Sequence, residues 1–273
     1  MGSAIAQRMT AQGYSVVGWT RSGRSVEGVN CVQDLESLVT DSETLILSLF
    51  DDDAVSEVLK TLLTFDLQGR QIIETSTVMP QILKRYIDLI VAAGATAVDA
   101  PISGGPEMVL AGSCGVFIGG DEASASQARD TLAAISGRIA HVGPLGTGLV
   151  MKVINNSMIQ VYFSGLSDMM PLAKEAGLPL ETTLRILGAG PAGMPMLTNR
   201  IPKILGEDEA VGFTINAAFK DNDVCQRVAE SFGVNAPTLK TFDDLKDAVA
   251  KAGFGERDPA ALVNLAYDGT KEL

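Results

Sequence analysis

The chain is 273 residues long, 46% hydrophobic and 20% charged, with a formal net charge of −12. That length allows one large domain or two of ordinary size with a sizeable core, and the acidic balance excludes the basic patch or stripe of a nucleic-acid footprint. Cys31, Cys114 and Cys225 lie far apart, with no CxxC and no nearby histidine, which excludes a zinc site or disulfide framework and fits reduced thiols in a cytoplasm; the apolar runs stay well short of the roughly 20 residues of a membrane span.

The chain opens on a helical pattern at 2–12 and passes to a Val-rich strand run at 15–19. Strand runs follow at 44–49, 71–75, 96–99, 115–118 and 138–141, each bounded by turn residues. Amphipathic helical patterns separate them at 54–64, 80–93 and 122–136. This alternation implies a parallel sheet covered on both faces. After Gly148 the style changes and no convincing strand follows. A long helical pattern at 149–176 ends at Gly177 and Pro179, and others occupy 180–187, 215–232, 237–252 and 259–267. The expected fold is α/β: a Rossmann-like doubly wound parallel sheet in residues 1–145, then an all-α domain in 146–273.

A doubly wound nucleotide-binding domain normally begins with a strand, then G-x-G-x-x-G, then a helix. This chain begins on Met1-Gly2-Ser3-Ala4-Ile5, already a helix start, and its next strand ends at Thr20-Arg21-Ser22. That order follows the third glycine of such a loop, so Gly2 is expected to be that glycine, with the first strand and two earlier glycines missing. Alone, Gly2 fits an ordinary N-terminal helix equally well. The opening residues also lack the basic flank and apolar core of a signal peptide. The tip of the second strand in such a domain meets the adenosine ribose, where an acid suits a free 2′-hydroxyl and an arginine suits a 2′-phosphate. Arg21, with no carboxylate adjacent in sequence, favours NADP over NAD; the plain alternative is a solvated surface arginine.

Three further segments carry chemistry. Asp99-Ala-Pro-Ile-Ser-Gly-Gly-Pro106 follows a strand, where ligands of parallel sheets bind. Ser103 offers a hydroxyl, and Gly104 and Gly105 offer unobstructed backbone N–H groups suited to a carboxylate; a plain Pro/Gly turn reads equally well. Gly143-Pro-Leu-Gly-Thr-Gly feeds the long helix, in which Lys152 and Asn156 share one face. A lysine among apolar neighbours can lose protons more readily, and a general base would require a pKa near ~7–8; a snorkelling lysine is the ordinary reading of K-x-x-x-N alone. Lys220-Asp221 lies in a later helix, where Lys220 can reach a cofactor or an acidic substrate, although a solvated helix charge is the better reading of that pair alone. The single histidine, His141, sits in a Gly/Pro-rich stretch and reads as structural, which leaves Ser-His-Asp and Cys-His mechanisms without a base.

Taken in order, these segments resemble the β-hydroxyacid dehydrogenase family, which includes 3-hydroxyisobutyrate dehydrogenases, tartronate semialdehyde reductases and 6-phosphogluconate dehydrogenases. The resemblance spans essentially the whole chain: Met1-Gly2 ending a glycine loop, Glu74-Thr75-Ser76-Thr77 for D-x-S-T, residues 99–105 for D-A-P-x-S-G-G, residues 143–156 for G-x-x-G-x-G-x-x-x-K-x-x-x-N, and Lys220-Asp221. It implies that Lys152 is the catalytic acid/base, that Ser103, Gly104, Gly105 and Asn156 position substrate, and that Thr77 and Lys220 line the cofactor site with Leu49 beside the nicotinamide-side loop. The chain departs from the family at Glu74, where aspartate is usual, at Phe50, where proline is common, and at Asn222, where leucine is usual.

The expected activity is interconversion of a small hydroxy acid and its oxo or semialdehyde form by hydride transfer with NADP or NAD. The alternatives are a non-catalytic cofactor-binding scaffold and an inactive fragment lacking the phosphate-binding loop. The apolar helices of the second domain lead us to expect a homodimer or homotetramer.

Overall fold

In the computed structural model, which describes residues 1–268, helix α1 (Gly2–Ala11) leads into two short strands, β1 (Val17–Gly18) and β2 (Asn30–Cys31), and helix α2 (Leu35–Thr40). Then come β3 (Thr44–Leu47), α3 (Asp52–Leu62), β4 (Gln71–Glu74), α4 (Gln81–Ala92) and β5 (Thr96–Asp99). The unit continues through β6 (Ile102–Ser103), α5 (Pro106–Leu110), β7 (Gly115–Gly119), α6 (Glu122–Leu132) and β8 (Arg138–Gly143). Three helices start at an aspartate whose side chain accepts the N–H three residues on: Asp34 from Ser37, Asp51 from Ala54 and Asp121 from Ser124. Each satisfies an orphan donor of its first turn. These bonds hold the Asp34 and Asp121 carboxyls below the usual aspartate range.

Strands β3, β4 and β5 run parallel in one register, with Thr44 beside Gln71 and Gln71 beside Thr96. Alternation along β4 and β5 sends Ile72 and Ala97 to one face and Ile73 and Val98 to the other. One face packs on Leu59 and Leu62 of α3 and Leu83 and Ile90 of α4. The opposite face packs on Ile5 and Met9 of α1 and Ala128 and Leu132 of α6. This is the expected Rossmann-like layering, with one correction: the sheet is mixed. β7 runs antiparallel to β5 and to β6, and β8 runs parallel to β7. The link between β6 and β7 holds only the five-residue α5, too little for the crossover a parallel return requires. β1 and β2 form a separate parallel pair.

His141 lies within β8, where its Nε2 sits 2.9 Å from the Gly120 carbonyl oxygen and 3.1 Å from that of Gly143. It ties two backbone turns together, a structural role.

The first compact unit is Met1–Val153, and the second begins at Ile154, inside helix α7 (Thr147–Glu175). The second unit continues with α8 (Leu180–Ala189), α9 (Pro195–Ile204), α10 (Ile215–Ser231), α11 (Thr238–Asp243), α12 (Lys246–Ala252) and α13 (Ala260–Asp268), and its described residues contain no strand. Gly177, at φ +74°, turns the chain out of α7. Where one helix is expected at 237–252 there are two, because Leu245 N–H bonds to Phe242 O, a 3₁₀-type contact that interrupts the ladder. Phe163, Met170, Leu184 and Ile201 anchor one apolar cluster; Ile215, Phe219 and Phe242 anchor another. No helix among the described residues is long and apolar enough to cross a membrane.

Candidate active site

The carboxyl ends of β3, β4 and β5 bring the loops after Leu47, Glu74 and Asp99 to one edge of the first unit. Asp99 is fully buried there, and each of its oxygens has its own donor. Oδ1 accepts from Gly146 N–H at 2.5 Å and Oδ2 from Leu149 N–H at 2.7 Å. The two glycine-bearing segments singled out by sequence are thus joined through one carboxylate. Burial pushes that carboxyl up to about 6, against the pull of the two N–H bonds and of Lys84. Gly148 has to be glycine, since a side chain there would run into the Phe117 carbonyl oxygen and the Asp99 carboxylate.

One turn after Leu149 comes Lys152, only 8% exposed, whose Nζ donates to the Ile102 carbonyl oxygen at 2.7 Å. Ile102 begins β6 and is followed directly by Ser103, Gly104 and Gly105. Ser103 is half-buried and pairs with Gly115 of β7. Gly104 has φ +135°, and a Cβ there would stand 2.9 Å from Met108 Sδ, so this turn excludes other residues. Gly105 precedes α5 as its N-cap. In the first unit, then, the structure brings a buried ammonium to the strand that runs into Ser103-Gly104-Gly105.

The remaining polar residues form their own network in the second unit. Asn156, one turn beyond Lys152 along α7, donates through Nδ2 to Asp221 Oδ2 at 3.0 Å, while its Oδ1 accepts from Asn155 Nδ2 at 3.2 Å. Asp221 Oδ1 lies 3.2 Å from Lys220 Nζ. One buried carboxylate therefore serves both Asn156 and Lys220. Asn222, where the resembled family has leucine, is fully buried and donates to Leu239 O and Asp243 Oδ1, which explains a polar residue there.

The residues expected to hold a dinucleotide fit one in part. Gly2 opens α1, whose first turn carries no acidic residue and whose N-cap makes no side-chain bond, a suitable start for meeting an anion. A Cβ on Gly2 would lie 3.4 Å from Ser48 Cβ, so the helix start approaches the end of β3 closely. Leu49 N–H donates to Ser76 Oγ at 2.8 Å, tying the loop after β3 to the loop after β4 that carries half-buried Thr77. Arg21 follows β1, largely exposed, and pairs with Glu57 of α3 at 3.3 Å. The structure thus supplies a carboxylate that the neighbouring sequence lacks. Among the described residues no group of three or more His, Cys, Asp or Glu side chains is arranged to hold a metal.

Reading of the sequence passed over Asp99, Asp221 and Glu57 as functional candidates. The first two stand inside quoted motifs, and an acid at a strand end before proline was the available signal for Asp99. Glu57 lies 36 positions from Arg21, and only the packing of α3 beside the β1 tip brings them together.

Comparisons with known proteins bear on the whole chain. The family model of the NAD binding domain of 6-phosphogluconate dehydrogenase matches residues 1–143. A second, described as NAD-binding of NADP-dependent 3-hydroxyisobutyrate dehydrogenase, matches residues 146–266. The NAD-dependent L-serine dehydrogenase of Pseudomonas aeruginosa is 26% identical, covering 99% of this chain and 96% of the relative. The 2-hydroxy-3-oxopropionate reductase of Escherichia coli is 25% identical, covering 86% of this chain and 82% of the relative. Among solved structures, a Mycobacterium tuberculosis 3-hydroxyisobutyrate dehydrogenase with L-serine matches at a TM-score of 0.85 and 22% identity, over 96% of this chain and 94% of that one, a likeness of fold.

Proposed function

Because the chain belongs to the β-hydroxyacid dehydrogenase family, a family of NAD(P)-dependent oxidoreductases, we propose that it interconverts a small hydroxy acid and its oxo or semialdehyde form with Lys152 as general acid/base. The observation that carries this reading is the Lys152 ammonium, buried and bonded to Ile102 O one residue before Ser103. A bound nicotinamide cofactor supplies or accepts the hydride. In the oxidative direction Lys152 Nζ takes the proton of the substrate hydroxyl; in the reductive direction it returns a proton to the forming alkoxide. Ser103 Oγ and the Gly104 and Gly105 N–H groups hold the substrate carboxylate. Asn156 orients the reacting oxygen and offers charge stabilisation through its carboxamide.

Gly2, Leu49, Thr77 and Lys220 are the proposed cofactor contacts, with Arg21 facing a 2′-phosphate. Arg21 supports NADP as the preferred cofactor; the relative from Pseudomonas aeruginosa, an NAD-dependent enzyme, keeps NAD as the alternative. We place the domain division at 145/146. A homodimer or homotetramer is supported by the second unit, where Ile154, Met158, Met169 and Leu172 of α7 are each more than half exposed.

The test is consumption or production of NADPH and NADH with a panel including L-serine, 3-hydroxyisobutyrate and 2-hydroxy-3-oxopropionate, run on the native chain and on Lys152→Ala. Turnover that disappears in the variant while cofactor binding persists is the expected result. Normal turnover in Lys152→Ala removes that residue from the mechanism, and tight cofactor binding without turnover across the panel favours a scaffold.

A further inference from the structure

We propose that Asp99 is the positioning residue for Lys152: its carboxylate fixes the start of α7 against the strand segment that presents Ser103-Gly104-Gly105. This rests on Lys152 being the acid/base group.

Two ties join the same pair of segments. Asp99 binds the Gly146 and Leu149 N–H groups at 2.5 and 2.7 Å. Three residues further along each segment, Lys152 Nζ binds Ile102 O at 2.7 Å. The first tie sets where the helix sits along its axis, and three helical residues, a rise of about 4.5 Å, separate it from the lysine. A slide or tilt at the helix start therefore carries over to Nζ, and misplacement by about 1 Å can cost about a hundredfold in rate.

The chemistry also selects a carboxylate. Each Asp99 oxygen accepts from a different N–H. An asparagine has a single carbonyl oxygen, and its amide would turn a donor toward one of these donors. Backbone closes around the group: side chains at Gly119 or Gly148 would run into it. The charged and titratable neighbours are Lys84 from α4, which favours the ionised form, and Glu74, buried and in register with Asp99 on β4. Burial raises the carboxyl to about 6, so ionisation is kept at a cost that two N–H donors partly offset.

The test compares Asp99→Asn, Lys152→Ala and the double variant, with NADP and 3-hydroxyisobutyrate or L-serine as probes, and hydrogen exchange across residues 143–156. Asp99→Asn should fold, lower kcat about a hundredfold, leave KM within a few-fold, and speed amide exchange at 143–156 but not in α10. The double variant should be no slower than Lys152→Ala alone, because Asp99 acts through that lysine. Wild-type kcat in Asp99→Asn, or a double variant slower still, overturns the proposal. Should Asp99→Asn fail to fold, the unaltered chain decides: exchange at 143–156, corrected for intrinsic rate, should slow as pH falls from 7.5 to 5, because the closed state holds the Asp99 proton more tightly than the opened one, and constant protection overturns it. Normal turnover in Lys152→Ala defeats the acid/base reading instead, whatever Asp99→Asn does to exchange.

Discussion

Lys152 of the first unit and Lys220 of the second are both candidate site residues, and their surroundings differ. Lys152 is buried and donates to a backbone carbonyl oxygen at 2.7 Å, whereas Lys220 is 3.2 Å from the Asp221 carboxylate. Burial beside the strand that runs into Ser103-Gly104-Gly105 supports the proposed proton-transfer role of Lys152, and the half-buried place of Lys220 beside Asp221 supports the proposed orienting role. Residue type alone does not separate the two; burial and place in the fold do.

The sharpest way to break this comparison is to remove each amine. Lys152→Ala should lower kcat by about 10²–10⁴, the usual range for a lost general acid–base group. Lys152→Arg should not restore it, because a guanidinium does not give up its proton. Lys220→Ala should instead raise the cofactor KM about tenfold or less with kcat nearly kept, the order expected for one charge-assisted bond. Steady-state kinetics on both variants separates them, and equal losses of kcat would erase the distinction.

The first unit's arrangement also has a pH signature. The Asp99 carboxyl titrates at about 6 in the folded chain, above the 3.8 usual for aspartate. Between those values the native state holds a proton that the unfolded chain has released. The stability from this group is therefore full below about pH 4 and declines as pH rises through 6. The separation corresponds to on the order of 2–3 kcal/mol. Urea unfolding should show the stability of the native chain relative to Asp99→Asn falling by that order between pH 4 and pH 7. Parallel curves for the two proteins would contradict the burial argument.

How much of this was legible in the sequence depends on the range of the contacts. The Val- and Ile-rich runs marked the strands because two-residue alternation buries both faces of this sheet, as Ile72 and Ile73 do. β2 and β6, each two residues long, are too short for any period to register. α9 was hidden because Pro202 lies inside it, although Pro195 at its first turn was a start signal. The glycine turn and Lys152 were readable as a motif. The reason for the motif was not: Asp99 meets Leu149 across 50 positions, and Gly148 is required by the Phe117 carbonyl of a different strand.

In the second unit the comparison turns on Asp221, which anchors Asn156 and Lys220 together. Asp221→Asn keeps the shape and removes the charge. We expect kcat/KM to fall about tenfold, mostly through KM, with a stability loss of roughly 1 kcal/mol. The Asp221→Asn and Asn156→Ala effects should be strongly non-additive, as expected for residues that share a bond. Full additivity would mean that the network only packs.

The smallest effects belong to Arg21 and Glu57, an exposed pair with side chains 75% and 66% accessible. Such pairs contribute at most about 1 kcal/mol to stability, so Glu57→Gln should leave unfolding nearly unchanged. Its effect on ligand choice has a definite sign. A 2′-phosphate arriving at Arg21 competes with the Glu57 carboxylate for the same guanidinium and is repelled by it, whereas a free 2′-hydroxyl meets no such conflict. Glu57→Gln should therefore tighten NADPH binding a few-fold and leave NADH nearly untouched; Arg21→Gln should weaken NADPH roughly tenfold, the scale of a lost charge-assisted bond. Fluorescence titration of both nucleotides measures the two ratios. If neither substitution changes the NADPH-to-NADH ratio, the β1 tip does not read the 2′ position, and Arg21 is a solvated surface charge.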